Sequence, residues 1–288
     1  MTIERKPSPL AVPIAALSVS MVCFQLGATL AKGLFPLVGV AGTAALRLAI
    51  AALILLAVWR PWHIRFTGVQ LRTLIVYGVA MGWMNLFFYL ALSYIPLGIT
   101  MALEFTGPLG VALFASRRPI DFVWVLLAAL GLMALLPLGL GGQPLSSVGV
   151  AYALGAGVCW ALYIIYGRRA GTAHGGQITA FGTVIAALMI VPIGFAQSGV
   201  QLLSLSILPA AVGVAVLSSA LPYSLEMYAM PRMQTRTFGV LMSLNPALGA
   251  VAGLIFLGET LSIVQWAAIA SIVAASAGSA STRELLPN

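Results

Sequence analysis

Residues 11–32 read AVPIAALSVSMVCFQLGATLAK, and the meaning given to this stretch sets the fold. An α-helix of about 20 residues crosses a hydrocarbon core about 30 Å thick. Arg5 and Lys6 stand before it as they would before a secretory leader, yet the apolar run passes the length of a leader core and lacks a clear small-residue cleavage pattern. Part of it also returns later, since Val22-Cys23-Phe24 is echoed by Val158-Cys159-Trp160. The stretch is therefore expected to stay in the protein as the first of a repeated set of membrane helices.

The rest of the chain agrees. Of its 288 residues 61% are apolar and 7% charged, with mean hydropathy +1.07, outside the balance of a water-soluble domain. Apolar segments lie at 11–32, 41–59, 70–92, 98–116, 120–139, 147–167, 177–197, 206–229, 235–256 and 260–281. They are too long, and too uniformly rich in Ala, Leu and Gly, for barrel strands. The expected fold is all-α and integral to the membrane, with ten transmembrane helices and no space for a soluble catalytic domain.

Further echoes share the spacing of the first. Ile50-Ala51-Ala52-Leu53 returns as Ile185-Ala186-Ala187-Leu188, and Gly107-Pro108-Leu109-Gly110-Val111-Ala112 lines up with Asn245-Pro246-Ala247-Leu248-Gly249-Ala250. A repeat of five helices crosses an odd number of times, so its second copy enters from the opposite side. The expected organisation is two inverted repeats, 1–139 and 147–288, within one transmembrane domain. Such an architecture places a substrate site near the midplane and provides alternating access.

The formal charge of +8 does not point to nucleic acid. Arg5, Lys6, Arg60, Arg65, Arg72, Arg117, Arg118, Arg168, Arg169, Arg232, Arg236 and Arg283 all fall on one side if the N-terminus is cytoplasmic. Only Lys32 sits at an outer end, and Arg47 lies inside the second segment. Both termini are thus expected in the cytoplasm. Cys23 and Cys159 fall within apolar segments, too few for a metal site, and read as small buried residues. No cofactor or metal is expected.

Ionised side chains at membrane depth cost about 2.5–3.5 kcal/mol on insertion scales, so those present need a reason. Arg47, Glu104 and Glu226 are the three, read either as coupling charges or as charges that fix helix packing. The third segment aligns Gly78, Gly82, Asn85 and Tyr89 on one face, the first aligns Gln25, Thr29 and Lys32, and the sixth aligns Ala156, Trp160, Tyr163 and Gly167. The eighth offers Ser219, Tyr223 and Glu226 around Pro222, which frees a backbone carbonyl. Pro108 and Pro246 occupy equivalent places in the two halves, where broken helices bind polar groups or, in the plainer reading, merely kink. A free amino acid needs an acceptor for its ammonium, donors for its carboxylate and a side-chain pocket. Glu104 or Glu226 supply the first, Gln25, Asn85 and broken-helix N–H groups the second, and Trp160, Tyr163 and Tyr223 the third, with Tyr89 and Asn245 beside them. Aromatic stripes of this spacing also serve for packing alone.

At these residues the chain resembles the drug/metabolite transporter superfamily, in its ten-helix branch with two EamA-type repeats. Ala31-Lys32-Gly33-Leu34-Phe35-Pro36, Ala45-Leu46-Arg47-Leu48, Ala102-Leu103-Glu104-Phe105-Thr106-Gly107-Pro108, Ser116-Arg117-Arg118-Pro119-Ile120-Asp121-Phe122-Val123-Trp124, Leu221-Pro222-Tyr223-Ser224-Leu225-Glu226-Met227 and Arg236-Thr237-Phe238-Gly239 are similar to stretches of bacterial threonine and homoserine exporters. Leu257-Gly258-Glu259 is similar to a feature of the wider superfamily. The resemblance implies inner-membrane export of small amino acids, with aromatic or other neutral amino acids within a broad range. Relatives commonly carry an acidic residue where this chain has Asn245, so no coupling role is carried to that position. Glu104 is the candidate for proton coupling, and uncoupled diffusion fits the residues equally. Glu259 reads as a charge at the start of the last helix.

Other classes fit less well. An enzyme needs nucleophile, base or metal chemistry at depth, whereas His63 and His174 fall in loops and no paired carboxylates share a helical face. Nothing resembles a channel filter, and the short loops leave little surface for receptor partners. A drug or nucleobase exporter of the same fold is the stronger alternative. The expected partners are a small-molecule substrate and the lipid bilayer; Gly-rich helix faces suit packing within a monomer or between chains.

Overall fold

The structure, a computed structural model, describes residues 10–63, 68–114, 120–135, 145–170, 175–229, 232–233 and 235–282. Arg5, Lys6, Arg65, Arg117, Arg118, His174 and Arg283 lie outside the described residues, as do positions 136–139 of the fifth segment and the side chains of Asp121, Arg168, Arg169 and Arg236. The described residues are all helical apart from turns: α1 (Ala11–Trp59), α2 (Gly68–Tyr94), α3 (Leu97–Phe114), α4 (Ile120–Leu135), α5 (Ser147–Ala170), α6 (Gly175–Ser198), α7 (Leu208–Ala215), α8 (Leu221–Ala229), α9 (Thr235–Met242), α10 (Asn245–Leu257) and α11 (Ile263–Thr282). A π-helical turn, Val216–Ala220, joins α7 to α8. Among the described residues six helical stretches are long and apolar enough to cross a membrane, and three shorter ones are predominantly apolar.

The 49 residues of α1 would span about 73 Å if straight. They do not run straight, because Gly39 leaves helical geometry at φ 66°, ψ 174°, a region open to glycine. The limb before it packs along α7 and α8, with Leu30 by Gly213, Gly27 by Ser218 and Ser20 by Pro222. The limb after it packs along α6, with Ala45 by Gly194 and Trp59 by Gly176. Since α6 and α7 are joined through 199–207, the two limbs fold back on each other at Gly39. Ser198 Oγ bonds the Val38 carbonyl, and Gln197 Oε1 accepts the Ala41 N–H at 2.9 Å, so both sides of the break are satisfied. Helix therefore runs on through 33–38, part of what the sequence reads as a connection: Lys32-Gly33 and Pro36 signal a loop, but Pro36 is taken inside the helix and the reversal falls on Gly39.

α2 lies between α5 and α6. Its Gly78 and Gly82 meet Ile185 and Ala186 of α6, and its Phe87 lies against Gly155 of α5, so the small face makes close helix contact. α3 and α5 approach most closely at Gly107 and Gly157, where a Cβ on Gly107 would fall on the Gly157 carbonyl. α4 and α11 pair at one side, with Trp124 against Gly278 and Gly131 against Ala268. The largest buried cluster joins both limbs of α1 to α2 and α6, and a second joins α2, α3, α5 and α11.

Candidate functional site

Arg47, 1% exposed, sits on the second limb of α1. Its Nε donates to Ser219 Oγ at 2.9 Å and its Nη2 to the Ser218 carbonyl at 2.7 Å. Pro222 has no N–H, and position 222 is where the α-helical donor to that carbonyl would stand. The π turn adds to the disruption, with Leu221 N–H reaching back to Val216. The freed carbonyl expected from Pro222 is thus Ser218's, and a guanidinium from a distant helix takes it. Phe24 and Tyr89 flank the same guanidinium, their ring centroids 5.4 and 5.2 Å from its carbon.

The three charges at depth form no ion pair with one another. Glu104 lies on α3 one turn before Pro108, 5% exposed, and among the described residues no hydrogen bond reaches its carboxylate; Arg47 is the charge that acts on it. Glu226 on α8 accepts the Ser20 hydroxyl at 2.9 Å. Around it lie Tyr77, Tyr163 and Tyr223, the first two stacked at 4.8 Å between centroids. Asn85 Nδ2 donates to the Met81 carbonyl at 2.8 Å, and its side chain meets Tyr223. Trp160 stands edge-on to Phe105, the neighbour of Glu104, at 5.3 Å.

Gln25 and Asn245 form a second branch. Gln25 Nε2 lies 3.3 Å from both the carbonyl and Oδ1 of Asn245, the residue that opens α10 after the break from α9. The two prolines that the sequence aligns differ here: Pro246 stands in the first turn of α10, while Pro108 lies inside unbroken α3. Gln25 Oε1, Tyr89 Oη and Ser218 Oγ are buried without a hydrogen-bond partner. Of the sequence-predicted positions, Arg47 and Tyr89 meet, Asn85 meets Tyr223, Tyr163 and Tyr223 lie near Glu226, Gln25 meets Asn245, and Trp160 packs on the neighbour of Glu104; Pro108 meets none of them in a hydrogen bond or ring contact among the described residues. Ser20, Phe24, Tyr77 and Ser218 join these contacts and were not expected; only the four-residue spacing from Ser218 to Pro222 signals any of them. Cys23 and Cys159 are free and half-buried rather than fully buried.

Glu259 corrects one expectation. It stands after Gly258, which closes α10 in the left-handed region at φ 65°, and before α11. Its Oε2 accepts the N–H of Leu97, the first residue of α3, at 2.7 Å, and its Oε1 pairs with Lys32 Nζ at 2.6 Å. It is a helix-start charge for α3 rather than for the last helix, chosen by a contact 162 residues away.

The profile of the EamA-like transporter family matches residues 147–280. The chain is 57% identical over 274 residues to the threonine/homoserine exporter RhtA of Escherichia coli (strain K12), covering 95% of this chain and 93% of that protein. It is 56% identical, with the same coverage, to the threonine/homoserine exporter RhtA of Salmonella typhimurium (strain LT2). A solved crystal structure of a protein 20% identical to this chain superimposes with TM-score 0.59, over 91% of this chain and 95% of that one, a likeness of fold alone. Identity of that extent across nearly the whole of both sequences, on an all-helical chain with a charged and hydroxyl-rich interior, makes this chain a member of the EamA-like transporter family, in the group of the RhtA exporters.

Proposed function

We propose that the chain exports threonine and homoserine from the cytoplasm across the inner membrane, by alternating access, as a multi-pass protein without enzymatic activity. The observation that carries this is the near full-length identity to the RhtA exporters. Ten crossings fit the helices if α1 counts as two limbs, α7 with α8 as one span and α9 with α10 as another. Two inverted halves, 1–139 and 147–288, have the same support, since α5 runs along α2 as the first limb of α1 runs along α7 and α8. The basic residues favour both termini in the cytoplasm.

Within that frame the buried region is the substrate site. Arg47, held in a fork by Ser218 and Ser219, is the fixed positive charge that orients a substrate carboxylate, and Glu104, whose carboxylate receives no hydrogen bond among the described residues, takes the ammonium. Glu226 holds the Ser20 hydroxyl and serves the packing of α8 on α1. Gln25, Asn85 and Asn245 supply polar contacts, and Tyr89, Trp160, Tyr163 and Tyr223 wall the pocket. Pro108 and Pro246 mark where the two halves bend as access changes.

Counterflow of labelled threonine into liposomes carrying the purified protein tests the reading. Flux that homoserine and other small neutral amino acids compete for is the expected result. Folded protein that moves none of them, but moves a drug or nucleobase, refutes it.

A further inference from the structure

Glu104 and Glu226 differ in what can reach them. Glu104 is 5% and Arg47 1% exposed, whereas Glu226 is half-buried, as are Tyr163 and Tyr223 beside it. Ser20, which donates to Glu226, is fully buried, so the carboxylate looks into the bundle and not toward lipid. It also lies toward one face. Ser20, Tyr77, Tyr163 and Glu226 each stand within about ten residues, or about 15 Å, of a helix end at Ala11, Gly68, Ala170 or Ala229. Arg60, Arg72 and Arg232 sit at that same face, the cytoplasmic one on the topology proposed above.

The surroundings of Glu226 are aromatic and fixed. The Tyr77 ring is wedged between Gly167 of α5 and Gly182 of α6, where an added Cβ would fall 2.9 and 2.2 Å from it, and its side chain hydrogen-bonds with Tyr163. Tyr163 stacks on that ring at 4.8 Å between centroids and keeps part of its surface open. Tyr223 stands three positions before Glu226 on the same side of α8. The charge of Glu226 acts on all three tyrosines. A carboxylate among aromatic rings is the chemistry that holds an ammonium group. Among the described residues no basic side chain pairs with this carboxylate, and the Ser20 bond engages Oε1, which leaves Oε2 for a ligand. The pocket thus reads an ammonium and makes no demand for a carboxylate.

We infer that Glu226, Tyr77, Tyr163 and Tyr223 form an entry subsite for primary ammonium groups on the cytoplasmic side of the Arg47–Glu104 site. The inference rests on the export reading above, in which substrate arrives from that face. Tyr223 links the two places, since Arg47 and Glu104 act on it as well and its side chain meets Asn85. A substrate held here by its ammonium keeps its carboxylate free for Arg47 further in.

The probe is L-threoninol, an amino alcohol that keeps the ammonium and hydroxyl of threonine and lacks its carboxylate. It is titrated calorimetrically into purified full-length protein, and threonine flux is followed into everted vesicles, whose outer surface is the cytoplasmic face. The parent is expected to bind threoninol, Glu226→Gln at least about tenfold more weakly and Tyr163→Leu about threefold more weakly. Glu104→Gln stays within about twofold of the parent, because its enclosed carboxylate is not the one that takes the probe. Glu226→Gln also raises the threonine KM about fivefold and leaves the maximal rate within about twofold, the signature of binding lost before the transport step. Ser20→Ala separates this from packing: it removes the interhelix bond and spares the carboxylate, so threoninol affinity holds within about twofold. No threoninol binding in the parent, unchanged affinity in Glu226→Gln, or an equal loss in Ser20→Ala or Glu104→Gln overturns the inference. Where Glu226→Gln does not fold, Tyr163→Leu decides, and unchanged affinity there overturns it. If threoninol binds through Glu226 while the parent moves no amino acid, the subsite stands and the substrate assignment falls.

Discussion

Gly107→Ala tests how tightly the bundle is built beside Glu104. A Cβ on Gly107 would sit 1.9 Å from the Gly157 carbonyl oxygen, and ordinary contact begins near 3.4 Å, so α3 and α5 must part by about 1.5 Å. Backbone cannot step aside as a flexible side chain does, and overpacking of this kind costs about 1–3 kcal/mol. Alanine returns up to about 1 kcal/mol of helix propensity. With the full propensity gain the balance is a loss of up to about 2 kcal/mol, or a melting temperature lower by up to about 8 °C on the scaling for chains of this size. Gly110→Ala is the internal control: one turn along the same helix, nothing lies within 4 Å of the added carbon, so propensity alone acts and stability holds or rises. Thermal unfolding of the two proteins in one detergent reads the difference. Threonine flux is expected to fall with Gly107→Ala, because Glu104 and Phe105 move with the backbone. A Gly107→Ala protein at least as stable as Gly110→Ala would refute the packing argument outright.

Three further outcomes follow from the site. Arg47→Lys keeps the charge but loses the fork, since one ammonium does not reach both Ser219 Oγ and the Ser218 carbonyl; a buried charge-assisted bond of about 1.5–3 kcal/mol is lost, and threonine flux drops at least about tenfold in folded protein. Glu104→Gln is expected to abolish the response of flux to a pH gradient if the carboxyl carries the proton; flux and gradient dependence equal to the parent would remove Glu104 from that role. Pro222→Ala returns a donor that competes with Arg47 for the Ser218 carbonyl, so flux falls while melting temperature does not, measured on the same preparation.

The spans 206–229 and 235–256 were legible because their apolar lengths match α7 through α8 and α9 through α10. Their inner breaks were partly legible too, through Pro222 and Pro246. The reversal in α1 was not. Lys32, Gly33 and Pro36 carry local turn signals, while the element that decides the bend, α6, lies more than 150 residues away and supplies Gln197 and Ser198 at the break. Arg47 could be picked out as a charge in lipid, but its partners across 171 and 172 residues could not. Glu259 is the same lesson in reverse: a local rule attached it to the nearest helix start, and tertiary packing attached it to another.

The proposed repeat does not treat all charges alike, and the difference bears on mechanism. On its register Arg47 falls on Gly182 and Glu104 on Met242, while Glu226 falls among the uncharged residues 88–91. None of the buried charges has a charged twin. Lys32 and Glu259, by contrast, both do, in Arg168 and Asp121. A substrate with an ammonium and a carboxylate binds in a single orientation, which demands an asymmetric set of charges at the centre. A chain that had duplicated its central charges would add the desolvation cost of a second, unused site. On the proposed register the buried charges are single, as binding of a zwitterion in one orientation at the proposed site calls for.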